Sequence, residues 1–147
     1  MNFLWSVRQY FRYYTGAQTI HNVHSPLAAS LVNKYYEKGS QVLYLDEIRR
    51  GLLSNHGLIE MGDYGAGSKR SFSRKTTIGD LAKVSLTQPQ QIRRLSNLCQ
   101  FFKPASILEL GTFFGLSALY LQAACPGAQI IIVEGNPDIA GIASDII

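Results

Sequence analysis

The sequence predicts an α/β chain in which residues 1–104 form a mostly helical, basic front and residues 105–147 begin a β-α-β unit. Three observations predict it. Apolar residues recur at helical spacing through most of the front. Two short apolar runs, at 106–110 and 129–134, flank a helix-like segment at 116–124. A bend marked by Gly111 and Gly115 joins the first run to that segment.

Taken in order, residues 3–14 place Phe3, Val7, Tyr10, Phe11 and Tyr14 on one helical face, with Arg8 and Arg12 away from it. Gly16 is expected to stop this helix. Ser25-Pro26 starts the next, since serine caps free amides and proline suits the first helical position. Leu27, Leu31, Val32 and Tyr35 are expected to face inward, and Gly39 to end the helix. Residues 44–54 form a weaker helix, with Leu45, Ile48, Leu52 and Leu53 apolar. Between Gly57 and Thr77, the strand-like Leu58-Ile59-Glu60-Met61 precedes a Gly-rich loop at 62–77 that also carries Ser, Lys and Arg. Residues 78–84 read as a short helix. In 88–102, Ile92, Leu95, Leu98, Cys99 and Phe102 share a face opposite Arg93 and Arg94.

Lys103-Pro104 ends that helix and the pattern changes. Ser106-Ile107-Leu108-Glu109-Leu110 runs as a short strand into Gly111-Thr112-Phe113-Phe114-Gly115. Pro126-Gly127 turns the chain after the helical segment. Gln129-Ile130-Ile131-Ile132-Val133-Glu134 then suits a parallel strand buried on both faces. Asn136-Pro137 opens a last helix.

Composition excludes several classes. The 147 residues are 46% hydrophobic, 16% charged and 11% aromatic, which is globular rather than disordered or collagen-like. Cys99 and Cys125 cannot build a disulfide scaffold and lack metal-ligand spacing, so they read as reduced core thiols of a cytoplasmic protein. The start, Met1-Asn2-Phe3-Leu4-Trp5-Ser6-Val7-Arg8, lacks the basic region of a signal peptide. The apolar stretch 105–125 has the length of a membrane helix, but Gly111 and Gly115 divide it and Pro104 and Pro126 bracket it. A strand, turn and helix fit it better than a membrane span.

Charge is uneven. All 14 basic side chains lie at or before Lys103 with six of the 10 acids, leaving +8 there and −4 over 104–147. Such asymmetry can mark a nucleic-acid partner. The bases are scattered pairs such as Arg49-Arg50 and Arg93-Arg94, with no dense run, which favours a basic appendage over a more acidic domain.

The bend carries the chemistry. A β-α-β crossover sets the loop after the first strand beside the carboxyl end of the second, where ligands of open α/β sheets sit. Gly111 and Gly115 allow a tight turn and close approach. The helix beginning near Gly115 aims free amides and a positive dipole end at the same spot, favouring a carboxylate or phosphate. Glu134, 23 residues after Gly111, ends the second strand, where a carboxylate can accept hydrogen bonds from ribose hydroxyls. The pattern therefore calls for an adenosine-type ligand with an anionic group at its other end. Phe113 stands where a dinucleotide fingerprint keeps its middle glycine, which disfavours a pyrophosphate and a nicotinamide-dependent oxidoreductase. A Walker loop is excluded because the turn has no lysine.

Residues 107–119, Ile-Leu-Glu-Leu-Gly-Thr-Phe-Phe-Gly-Leu-Ser-Ala-Leu, closely resemble motif I of class I S-adenosylmethionine-dependent methyltransferases. The Gly-Thr-x-x-Gly-x-Ser form looks most like the O-methyltransferase branch. Ile131-Ile132-Val133-Glu134-Gly135 resembles the second motif, whose acid holds the ribose. The resemblance implies a Rossmann-like fold, with Glu109, Gly111, Thr112, Gly115 and Ser117 around the methionine part of the cofactor and Glu134 and Gly135 beside its ribose. It also implies methyl transfer to a small-molecule acceptor, probed below against two rivals: a non-catalytic nucleic-acid-binding module using the basic front, and an NAD-dependent oxidoreductase. His21-Asn22-Val23-His24-Ser25-Pro26 and Asp63-Tyr64-Gly65-Ala66-Gly67-Ser68-Lys69 resemble the leader of an uncharacterised bacterial group of the same class.

Other features read more plainly. The His21-x-x-His24 pair has no third ligand nearby, so no metal is expected. The 62–69 stretch misses a phosphate loop because Ser68 and Lys69 stand in the wrong order; a lid aided by Lys69, Arg70, Arg74 and Lys75 is the functional alternative to a structural loop. The aromatic face of 3–14 is expected to pack on the domain or on a second copy of the chain, as in a homodimer. By resemblance the fold would have a larger sheet, so only its first β-α-β unit is visible here, and the sequence reads as an amino-terminal fragment, inactive alone. No catalytic residue is expected within it, since a base or metal that activates the acceptor would lie beyond residue 147.

Overall fold

Apolar spacing and capping residues place the helices close to where the sequence predicts them. The computed structural model describes residues 3–17, 24–39, 42–60 and 75–147. Its elements in chain order are α1 (Phe3–Gly16), α2 (Pro26–Tyr36), α3 (Leu43–Leu53), β1 (Leu58–Glu60), β2 (Lys75–Thr77), α4 (Ile78–Ser85), α5 (Pro89–Phe102), β3 (Ser106–Leu110), α6 (Leu116–Ala124), β4 (Gln129–Val133) and α7 (Pro137–Ile146). Among the described residues this is a mixed α/β architecture of seven helices and two two-stranded sheets.

The chain divides into two compact units, Met1–Tyr36 and Glu37–Ile147. This division does not coincide with the 104/105 boundary expected from composition. The physical reason is a shared core: Leu45 and Leu52 of α3, Leu81 and Ala82 of α4 and Ile92 of α5 cluster with Phe114, Leu116, Tyr120 and Ile139. Helices of the front thus bury the same apolar surface as the β3-α6-β4 segment.

In the first unit, α1 and α2 bury none of their residues. Tyr10, Phe11 and Tyr14 are more than half exposed, and Tyr10 and Tyr14 touch each other with ring centroids 4.7 Å apart. Leu27 is 67% exposed, not inward as its spacing suggested. Helix α2 closes at Tyr36, before Gly39.

In the second unit, β1 and β2 pair antiparallel, Leu58 opposite Thr77. Strand β2 falls within the stretch expected to be loop, because Lys75-Thr76-Thr77 is polar and carries no alternation to read. Thr77 caps α4, its hydroxyl accepting the Asp80 N–H at 3.1 Å. Helix α5 departs from its expected face: Leu95 and Phe102 are exposed, and Asn97 is buried, its Nδ2 donating to the Glu37 carbonyl at 2.9 Å. A buried amide is tolerable there because it finds that partner.

Strands β3 and β4 pair in parallel from Ser106 opposite Gln129 to Leu110 opposite Val133. Their burial alternates. Leu108, Leu110, Ile131 and Val133 are exposed, while Ile107, Glu109, Ile130 and Ile132 are partly covered. The expectation that β4 is buried on both faces is thus corrected, since only one side of this pair is covered within the structure. No helix of the described residues is long and apolar enough to cross a membrane; the 105–125 stretch is split into β3 and α6.

Candidate functional site

The site is built at the common end of β3 and β4. Parallel pairing sets Leu110 beside Val133, and the Val133 carbonyl then accepts the Gly111 N–H at 2.8 Å and the Thr112 N–H at 3.3 Å. Three of the next residues take left-handed backbone: Gly111 (φ 74°), Phe113 (φ 55°) and Gly115 (φ 75°). For the glycines this costs little, whereas for a phenylalanine it costs about 1–2 kcal/mol. Two contacts hold Phe113 there. Its N–H donates to Glu134 Oε2 at 2.8 Å, and its ring meets Phe114 edge-on at 4.6 Å. Phe114 is wholly buried in the core.

Two acids meet at this bend. Glu109, on the covered face of β3, accepts the Thr112 hydroxyl on Oε2 at 3.0 Å and the Ser117 hydroxyl on Oε1. Glu134 accepts the Phe113 N–H on one oxygen and the Asn136 N–H, at 3.0 Å, on the other. Asn136 in turn caps α7, its Oδ1 accepting the amides of Asp138 and Ile139. Each carboxylate offers about four acceptor positions, and the bonds named use two of them. Both can therefore still receive a ligand's donors.

The structure brings the expected residues together. Glu109, Thr112 and Ser117 form one hydrogen-bonded cluster, Gly111 and Gly115 bound the bend, and Glu134 lies against it through the Phe113 amide. Gly135 is exposed between Glu134 and Asn136, and a Cβ there or at Gly111 would meet no atom within 4 Å. At Gly115 a Cβ would collide with the Ile147 side chain. Helix α6 starts at Gly115 without a side-chain cap, which leaves its positive end to other partners.

A small hollow of about 60 Å³ faces the Glu109 side of the bend, bounded also by Arg49 of α3 and by the Ser85-Leu86-Thr87 connection. A wider, open hollow of about 350 Å³ lies on the Glu134 side, with Thr112 between the two. Arg49 was met in the sequence only as half of a basic pair. The missed signal is its spacing, four after Leu45 and three before Leu52, which puts a cation on the buried stripe of α3.

A separate cavity of about 180 Å³ includes Asp46, Asn97 and Tyr120 in its lining and does not reach the bend. There the Tyr120 hydroxyl donates to Asp46 Oδ1 at 2.6 Å. Burial pushes the Tyr120 hydroxyl above the ordinary 10.0, the bond to Asp46 adds to the rise, and Arg49 opposes it. A raised value in the folded state means that the proton is held more tightly there, so this contribution to stability is complete below the unfolded tyrosine range and fades above pH ~10. Denaturant melts across pH ~8–11 are expected to fall more steeply in the wild type than in Tyr120→Phe.

His24 is exposed. His21 and residues 62–74 of the glycine-rich loop lie outside the described residues, and Lys75 is exposed in β2. No group of three His, Cys, Asp or Glu side chains among the described residues is placed to hold a metal ion. Comparison with protein-family models, with curated proteins and with solved structures gave no match.

Proposed function

We propose that this chain binds S-adenosylmethionine at the β3-β4 end and belongs to a Rossmann-like, class I type of methyltransferase, with transfer to the oxygen of a small-molecule acceptor. One observation carries the proposal: two carboxylates, Glu109 and Glu134, converge on a single left-handed bend, one through side-chain hydroxyls and one through a backbone amide. Glu134 is suited to ribose hydroxyls because it keeps acceptor capacity while its position is fixed by two amides. Glu109 is suited to a cationic group. The open space over Gly111 supports close approach of a ligand to the backbone, and the bulk of Phe113, where a dinucleotide fingerprint has its middle glycine, argues against a pyrophosphate.

S-adenosylmethionine supplies a methyl group on a cationic sulfonium. The chain's contribution at this site is to hold and align that donor, and alignment provides much of the acceleration of such a displacement. Binding is the informative readout, since no acceptor-activating residue is assigned. Titration calorimetry with S-adenosylmethionine, S-adenosylhomocysteine and NAD is expected to give saturable binding of the first two and none of NAD. NAD binding alone would point to the oxidoreductase, and binding of nucleic acid that falls steeply with salt, with no nucleoside bound, to the rival module.

Gly111→Ala sharpens this test. The new Cβ enters the open side of the bend and the backbone stays left-handed, so a stability loss of about 1–2 kcal/mol is expected together with at least tenfold weaker binding of S-adenosylhomocysteine. Unchanged affinity would remove Gly111 from the site.

A further inference from the structure

The sequence motifs leave one group at the bend without a role. Arg49 borders the same small hollow as Glu109, Thr112 and Ser117. Its Nη2 donates to the Thr87 carbonyl at 2.5 Å, which ties α3 to the connection between α4 and α5. Its Nε is buried and has no hydrogen-bond partner. The ion pairs recorded among the described residues, Arg50 with Glu47 and Lys83 with Asp80, do not include it. The side chain also interacts with the Tyr120 hydroxyl, yet a buried, unpaired Nε beside a hollow is unusual, because buried donors are nearly always satisfied.

The same lining carries the opposite charge. Glu109 is fixed by two hydroxyls and retains acceptor capacity. A hollow lined by both a guanidinium and a carboxylate matches a zwitterion, and its small volume of about 60 Å³ suits the end of a ligand, not a whole nucleoside. Guanidinium groups pair well with planar carboxylates, whereas an ammonium needs only a point acceptor. We infer that Arg49 binds the carboxylate of the ligand's α-amino-acid arm while Glu109 binds its ammonium. The assignment rests on the S-adenosyl proposal above and adds a cofactor-binding residue that lies far outside the glycine motif.

The test uses two probes on the 147-residue chain. S-adenosylhomocysteine carries the amino-acid arm; 5′-methylthioadenosine lacks it and keeps the adenosine. Arg49→Gln removes the charge but keeps a donor for the Thr87 carbonyl, and Arg49→Lys restores a charge without the fork. Arg49→Gln is expected to weaken S-adenosylhomocysteine by about 10- to 100-fold, the scale of a charge-assisted hydrogen bond. Methylthioadenosine is expected to change less than about twofold, and Arg49→Lys to recover part of the loss. Equal weakening of both probes in Arg49→Gln makes Arg49 a purely structural residue and overturns the inference, as does unaltered S-adenosylhomocysteine affinity. If the wild-type chain binds neither probe, the S-adenosyl proposal fails first and this assignment with it.

Discussion

Phe114→Ala is expected to lower the unfolding free energy by about 3–5 kcal/mol, the cost of emptying a fully buried aromatic site. Phe114 is wholly buried and sits in the cluster that joins α3, α4 and α5 to the bend. Against a typical total of about 5–15 kcal/mol, the loss removes roughly a fifth of the stability or more, and at the low end of that range nearly all of it. The effect is local as well as global, because the Phe114 ring is the edge against which Phe113 rests in its left-handed state. Urea melts of Phe114→Ala and Phe114→Leu measure it. Leucine keeps most of the volume, so it is expected to retain most of the stability. A cost below about 1 kcal/mol for alanine would show that the bend is not anchored through this ring.

The second large effect concerns binding. Glu134→Gln is expected to weaken S-adenosylhomocysteine by roughly 10- to 100-fold, since charged hydrogen bonds contribute about 1.5–3 kcal/mol each. Glutamine keeps the shape but loses the charge and half of the acceptor capacity. It must also present either an oxygen or an amide to the Phe113 N–H, which Glu134 now accepts at 2.8 Å. A calorimetric titration beside a melt separates the two consequences: loss of ligand affinity from loss of the bend. Wild-type affinity in Glu134→Gln would remove this acid from the ribose position.

Much of this architecture was legible in the residues. The helices of the second unit start and stop within a residue or two of their predicted positions because proline, capping threonine and apolar spacing are local signals. The β3-bend-α6-β4 order was readable for the same reason, since a glycine pair between an apolar run and a helical segment has few other solutions. Tertiary features were harder. Asn97 takes a core position on α5 because the Glu37 carbonyl, 60 residues away, comes within reach, and no periodicity encodes that. Exposure of Leu108, Leu110, Ile131 and Val133 depends on what packs on the sheet and is invisible in the run itself.

The candidate site divides the same way. Glu109, Thr112 and Ser117 lie within nine residues of one another, so their meeting follows from one strand and one helix turn. The link from Glu134 to the Phe113 amide spans 21 residues and follows from the parallel crossover. Arg49 joins from 60 residues before Glu109 through the shared core, so only the position of a cation on an apolar stripe could have signalled it.

Amide NMR during titration with S-adenosylhomocysteine locates the ligand directly. Saturable shifts centred on Gly111, Thr112, Phe113, Gly135 and Asn136, extending to the residues around the Arg49–Glu109 hollow and insensitive to salt, are the predicted result. No movement of these amides at millimolar ligand, or shifts gathered on the basic helices ahead of Lys103 while the bend stays still, would contradict it.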